Sequence, residues 1–333
     1  MAGGVSFTID VEDHWADPAG ELRYEQLTWE LLAWLERLGV RGTFFFVGQI
    51  AERHPDLVAA VGAAGHEPAV HGWTHTPLPE LTPGQFRDDA RRAKAVVEDL
   101  SGVAVKGFRA PTYSLVRKSV WATEVLAEEG YSYSSGVSSR RNPLWWYPGV
   151  PSHPFRWPSG LLETSGEFAQ VGRYVYYFGG GTFFRVTPWW MVRDGFARWA
   201  ETGVAFLYCH PYDFDAGEER FRIPDVPAVL SPLLFAARRT MWSRAEALLR
   251  NPAPPLGERL SELGQLAASG GADPLRLGAD GEVLGPRPWE GRGALRVAPP
   301  GWRRPLRSEW LGPRVRTADA RTARPAMPVR VGD

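Results

Sequence analysis

Hydrophobic positions along the chain alternate between short strand-like runs and longer stretches with helical spacing. Val5 to Ile9 is a short apolar run that ends in acid, which predicts a buried strand with polar groups at its C-terminal end. Leu27, Leu31, Trp34, Leu35 and Leu38 then recur at helical spacing, and Gly39 is placed to cap the helix. Thr43 to Val47 (TFFFV) predicts a second strand, Pro55 to Ala64 a helix closed by Gly65, and Glu67 to His71 a third strand. Thr82-Pro83-Gly84-Gln85 is a capping box with Pro at the first helical position. The helix it starts carries Phe86, Ala90, Ala93, Val97 and Leu100 on one face and ends at Ser101-Gly102.

Val105 to Phe108 predicts a fourth strand, Lys118 to Glu129 a helix, and Tyr131 to Val137 a fifth strand. Arg140 to Gly160, rich in Pro, Trp and Ser, predicts a long irregular segment. Tyr174 to Phe184, with Gly179-Gly180-Gly181, suggests strands around a tight turn. Thr187-Pro188 starts a helix to about Glu201, Ala205 to Cys209 is a late buried strand, and Val229 to Arg250 predicts a final helix. Strand-then-helix repetition predicts parallel strands with right-handed crossovers. About seven strands point to an α/β fold, a distorted or incomplete (β/α) barrel. Residues 1–255 are expected to form the catalytic domain. Residues 256–333 are expected to be a low-complexity, Pro/Gly/Arg-rich tail, largely disordered, with periodicity lost from about Gly271.

Charge changes this picture little. Lys plus Arg and Asp plus Glu are 38 each, which argues against a nucleic-acid partner. The single cysteine, Cys209, excludes an internal disulfide and a thiolate cluster. No basic and apolar leader and no long apolar span are seen, so no transmembrane segment is expected and the cytoplasm is the expected location. Most of the fifteen tryptophans are expected to be core. Trp145, Trp146, Tyr147 and Trp157 lie in the irregular segment, where aromatic rings are candidate platforms for sugars.

The chemistry sits at strand ends. Asp10, Glu12 and Asp13 close the first strand, and His71 and His75 follow the third, four residues apart. Carboxylates with imidazoles make the donor set of a divalent metal site, typically zinc, with a carboxylate to spare for proton transfer. Crowding of the three acids is expected to raise their pKa values. Arg109 and His210 follow two further strands, at the face where parallel α/β sheets place their sites. Beside a carboxylate, Arg109 would lock that group in place and keep it ionised.

Together with TFFFVGQIAERHP (43–55), AAGHEPAVHGWTH (63–75), GFRAPTYSL (107–115) and LYCHPYDFD (207–215), these residues resemble the carbohydrate esterase family 4 polysaccharide deacetylases, the NodB homology family. The likeness runs from about Phe7 to Arg250 and is strongest to an exopolysaccharide-biosynthesis branch whose first motif reads DVED. It implies a NodB-like barrel that removes N-acetyl groups from an N-acetylated saccharide with a divalent metal, Zn2+ first and Co2+, Ni2+ or Mn2+ as alternatives. Asp10 then matches the catalytic base, His71 and His75 the metal ligands, and Arg109 the residue that orients the base. His210 matches the acid that protonates the leaving amine, with Leu207 in its apolar surround. A backbone N–H near Tyr113 would hold the oxyanion, and Tyr113, Trp145, Trp146 and Trp157 are candidate substrate contacts. The motif usually has a metal-binding Asp directly after the base, where this chain has Val11. The third ligand is then Glu12, which shares a strand face with Asp10, or Asp13 if the chain turns there. Relatives acting on small amides or ureides such as allantoin, and a catalytically silent carbohydrate-binding protein, are the competing readings.

Overall fold

The computed structural model describes residues 3–13, 23–140, 145–165, 168–171, 174–221, 231–271, 273–285 and 295–296. Strands β1 (Ser6–Val11), β2 (Gly42–Phe46), β3 (Glu67–Val70), β4 (Gly107–Phe108), β5 (Tyr133–Ser134), β6 (Phe155–Arg156) and β7 (Leu162–Glu163) come first in the chain. They are followed by β8 (Phe168–Val171), β9 (Tyr174–Tyr177), β10 (Phe206–Cys209) and β11 (Leu295–Arg296). Eight of them form one sheet in the order β10-β1-β2-β3-β4-β5-β7-β6. Every neighbouring pair is parallel except β6 with β7. The sheet curls into a half-barrel flanked by helices, as the strand–helix alternation predicts. All six residues of β1 are buried, because it lies between β2 and β10 with both faces covered.

The helices form where pattern and caps agree. Helix Tyr24–Leu38 buries Leu27, Leu31, Trp34 and Leu35 and stops at Gly39, whose φ of 63° fits a left-handed cap. Helix Pro83–Ser101 opens with the expected capping box: Gln85 N donates to Thr82 Oγ1 at 3.3 Å and Thr82 N donates to Gln85 Oε1 at 3.0 Å. Phe86, Ala90, Ala93 and Val97 form its buried face. Among the described residues, no helix is long and apolar enough to cross a membrane.

Three expectations are corrected. The seventh parallel strand is β7, just past the stretch read as irregular and assigned to no element, since strands of two residues leave no periodic signal. The Tyr174–Phe184 region instead supplies β9 to a separate three-stranded sheet, and Gly180 pairs with Tyr208 in an isolated bridge. The single helix expected over 229–250 is replaced, in its described part, by Ser231–Leu234 and Met241–Leu248. The break falls at Ala237, which has a φ of 57°, and the next side chain, Arg238, turns inward.

The boundary expected at 255 falls inside the folded unit. Leu256, Leu263 and Ala267 are fully buried, the last two on helix Leu260–Gly270, and Leu275 and Val283 are nearly so. Gly257 N donates to Glu67 Oε2 at 2.8 Å, and Arg259 Nη1 donates to Ser6 Oγ at 3.0 Å and Ala205 O at 3.3 Å. Leu260, Leu263 and Ala267 carry helical spacing that the polar composition around them masks. The rest of the expected tail, 286–294 and 297–333, lies outside the described residues, with Trp289, Trp302 and Trp310.

Candidate active site

Strand alternation aims Thr8 and Asp10 to one side of β1. Just beyond it, Glu12 N donates to Asp10 O at 3.1 Å, so the backbone turns as β1 ends. β4 delivers Arg109, fully buried, across the barrel to that face. Its Nη1 donates to Asp10 Oδ1 at 2.6 Å, and its Nη2 donates to Thr8 Oγ1 and Ser135 Oγ, both at 3.1 Å. The pair leaves Asp10 Oδ2 as the oxygen that faces the site.

His71 follows β3, and its Nδ1 lies 2.9 Å from Arg109 O. A carbonyl can only accept, so Nδ1 carries the proton and the Nε2 lone pair points inward. That Nε2 lies 3.4 Å from Asp10 Oδ2 and 3.2 Å from Glu12 Oε2. His75 Nε2 lies 2.6 Å from the same Glu12 oxygen. Gly72, with φ of 76°, and His75, with φ of 62°, bend the loop so that both imidazoles reach one point. Donor atoms of Glu12, His71 and His75 all fall within 4.8 Å of one another. Asp10 Oδ2 and Glu12 Oε2 are buried without a hydrogen bond, while imidazole nitrogens crowd against them. Lone pairs converging in a buried space are stabilised by a cation, and two nitrogens with a carboxylate suit zinc or a neighbouring first-row ion.

Electrostatics differ from the crowded-acid expectation. Burial would raise the Glu12 pKa, but His75, His71 and His210 outweigh it and hold the carboxyl well below its usual range. Burial would likewise lower His71, and the carboxylates of Asp10 and Glu12 reverse this. Asp13 is not in the donor group; its charge acts on the Tyr24 hydroxyl instead. Glu12 therefore meets both imidazoles, because the turn after β1 takes Asp13 away.

β10 brings His210 to the other side of Glu12, with Nε2 3.5 Å from Glu12 Oε1. Asp213 Oδ2 accepts from both Nδ1 and the backbone N of His210, each at 2.9 Å. Arg185 lies 3.0 Å from Asp213 Oδ1. Burial would raise Asp213, but Arg185 and His210 pull it down to about 2. For His210, burial would lower the pKa and the Asp213 carboxylate overcomes that, keeping the ring readily protonated. Tyr212 stacks on the imidazole with centroids 4.5 Å apart, and the Tyr208 hydroxyl lies 2.7 Å from Nε2. Leu207 is fully buried on the same strand.

Sequence reading missed Asp213, Arg185, Tyr208, Tyr212, Thr8 and Ser135 in these roles. Asp213 was findable: it stands three residues after His210, the spacing of a side chain that returns to cap its own turn. Arg185 carries no such signal.

The aromatic candidates divide. Tyr113 lies edge-on to Tyr208 at 5.2 Å, and both Thr112 and Tyr113 are left-handed, at φ of 55° and 57°. The Tyr113 N–H donates to Ala110 O at 3.0 Å, so it is engaged within its own turn rather than presented to an oxyanion. Trp145 is tied to this loop by Nε1 donating to Thr112 Oγ1 at 2.9 Å, and Trp146 is 42% exposed. Trp157 is fully buried and cannot hold a sugar; Tyr147 is buried as well. Trp157→Ala is expected to cost about 3–5 kcal/mol by chemical denaturation, as a large core cavity does.

Trp157 Nε1 donates to Glu163 Oε2 at 2.9 Å. Burial pushes the Glu163 carboxyl from 4.5 up to about 7. The folded state thus holds this proton more tightly than the unfolded chain. Its contribution is full below about pH 4.5 and is lost as pH rises to 7, by roughly 3 kcal/mol. Glu163→Gln should flatten that part of a stability-against-pH curve, and an unchanged slope would refute the assignment.

Residues 5–133 match the family model described as polysaccharide deacetylase, and residues 134–253 match a domain of unknown function, DUF3473. A peptidoglycan deacetylase-like protein, FGM2, of Gibberella zeae is 30% identical over 118 residues, covering 35% of this chain and 34% of the relative. A peptidoglycan-N-acetylglucosamine deacetylase of Bacillus cereus is 28% identical over 100 residues, covering 30% and 36%. The chain thus spans about a third of the length of these curated relatives. A crystal structure from Mycobacterium smegmatis, described as a candidate polysaccharide deacetylase, superposes with a TM-score of 0.53 at 21% identity over 79% of this chain and 90% of that one, which supports the fold. Asp10, Glu12, His71, His75 and Arg109 come from the first matched segment, and Tyr208, His210 and Asp213 from the second. Residues 5–133 thus resemble the polysaccharide deacetylase family, and the segment that follows adds β7 and β10 to the same sheet and brings His210 to 3.5 Å from Glu12.

Proposed function

We propose that the chain is a metal-dependent hydrolase that removes N-acetyl groups from an N-acetylated sugar during polysaccharide or exopolysaccharide biosynthesis. The reading is carried by one observation: Glu12, His71 and His75 converge beside an Asp10 held by Arg109, with His210 across from it. Glu12, His71 and His75 would hold the ion, most simply Zn2+, which supplies Lewis acidity to the acetamide carbonyl and to water. Asp10 takes the proton of the attacking water on Oδ2, since Oδ1 is committed to Arg109. Asp213 fixes Nδ1 of His210, so Nε2 is the atom that gives a proton to the departing amine as the C–N bond breaks. Tyr113, Trp145 and Trp146 are the sugar contacts of this reading, supported for Tyr113 by its ring lying 5.2 Å from that of Tyr208 and for Trp145 by its hydrogen bond to Thr112.

The test is acetate release from N-acetylglucosamine oligomers, an N-acetylated lipid-linked sugar and allantoin, with and without chelator. Acetate from the sugars, lost on chelation and restored by Zn2+, is expected. Turnover of allantoin alone overturns the substrate, and activity that survives chelation overturns the metal. Metal content gives a second reading: Glu12→Ala should lose the bound ion and Asp13→Ala retain it.

A further inference from the structure

The imidazole of His210 is gripped at both nitrogens, and only one grip is accounted for by Asp213. The other is Tyr208, whose hydroxyl lies 2.7 Å from Nε2 and whose ring meets the imidazole at 77° with centroids 4.7 Å apart. Tyr113 supports the Tyr208 ring from the side, edge-on at 5.2 Å. The backbone around Tyr208 is also shaped for it. Tyr208 N donates to Gly179 O at 2.9 Å, so the two segments run in contact. A Cβ on Gly180 would lie 2.4 Å from Tyr208 Cδ1 and 2.6 Å from its Cβ, closer than any real contact. The run Gly179-Gly180-Gly181 is therefore where this ring is let in against the chain, rather than a hairpin turn.

We propose that Tyr208 is a positioning residue for leaving-group protonation. Its hydroxyl holds Nε2 of His210 in the direction from which the amine is protonated. A hydroxyl suits this place because it serves both states of the ring: it accepts from Nε2–H of the imidazolium and donates to the Nε2 lone pair once the proton has gone. A carboxylate or an ammonium would serve only one. The proposal rests on the N-deacetylase reading and adds to it a residue that acts through His210.

Tyr208→Phe keeps the ring and removes only the hydroxyl. The full chain carrying it is assayed on an N-acetylglucosamine oligomer, whose amine leaves only when protonated, and on 4-nitrophenyl acetate, whose phenolate leaves unaided. The expected result is a fall in kcat of about 10–100-fold on the oligomer, part of what a general acid supplies, with KM and ester turnover changed less than about threefold. Gly180→Ala, whose Cβ would meet Tyr208 Cδ1, O and Cβ at 2.4, 2.5 and 2.6 Å and so push the ring and its hydroxyl off His210 without removing either, should reproduce the same selective loss. Equal loss on both substrates, or no loss on the oligomer, overturns the proposal. Should the wild-type chain release no acetate from sugars, the N-deacetylase reading fails by itself. The 15N resonance of His210 Nε2 then decides the positioning role, since a resonance unmoved in Tyr208→Phe refutes the grip.

Discussion

Asp10→Asn is expected to lower kcat by about 10²–10⁴-fold, the range set by loss of a general base. An amide has no basic oxygen for the proton of water. A second effect adds to the first. Asn would keep its oxygen on Arg109 Nη1, which places its NH2 where Oδ2 now lies, 3.4 Å from His71 Nε2. That NH2 donates to the lone pair meant for the cation, so bound metal should fall along with turnover. The measurements are acetate release normalised to folded protein, and metal content of the same samples. An Asp10→Asn enzyme that keeps more than about a tenth of wild-type kcat would remove Asp10 from the role of base.

Arg109→Met is expected to cost about 3–5 kcal/mol of stability, because it strands a buried carboxylate. Asp10 and Arg109 are both fully buried, so neither end of the pair reaches water when its partner is removed. The burial penalty on the guanidinium is outweighed by Asp10, which holds Arg109 firmly in its charged form. The single variants Asp10→Asn and Arg109→Met should therefore not add. A double-mutant cycle by chemical denaturation should show about 1–3 kcal/mol of coupling, since the double variant carries no stranded charge. Additivity within about 0.5 kcal/mol would mean that the contact contributes no coupling of its own.

Much of this arrangement is legible in the chain. β1, β2, β3 and β10 stand out as apolar runs, and β1, β3 and β10 each end at or next to a residue of the site. The helices with strong caps, such as Pro83–Ser101, start and stop where Thr82 and Gly102 place them. What escapes reading is structure without local signal. β6 and β7 have two residues each, too few for a periodic pattern, and they are strands only because they pair with each other and β7 with the distant β5. Helix Leu260–Gly270 was obscured because apolar spacing is diluted by Ser, Gly and Glu. In the site, residues that bear unusual chemistry for their position (Asp10, His71, Arg109) are visible, whereas their supports are not. Arg185 reaches Asp213 from 28 positions away, as an ordinary arginine in an aromatic stretch. Trp157 misleads for the converse reason: an indole has the same letter whether it faces a ligand or fills a core, and here its N–H is committed to Glu163.

The placement of β1 has a consequence for how the molecule is made. This strand leaves the ribosome well before β10, one of its two neighbours, to which it is joined by Thr8 Oγ1 donating to Leu207 O across 199 residues. At about 5–20 residues per second, roughly 10–40 s of synthesis separate the two. Through that interval a run of Val, Phe and Ile carries an open edge, the condition under which nascent chains aggregate. Three acids stand at or just past the end of that run, Asp10, Glu12 and Asp13, and like charges on neighbouring nascent chains repel. Asp10 and Glu12, the carboxylates of the candidate metal site, thus join Asp13 as charges that guard the strand before it has a partner.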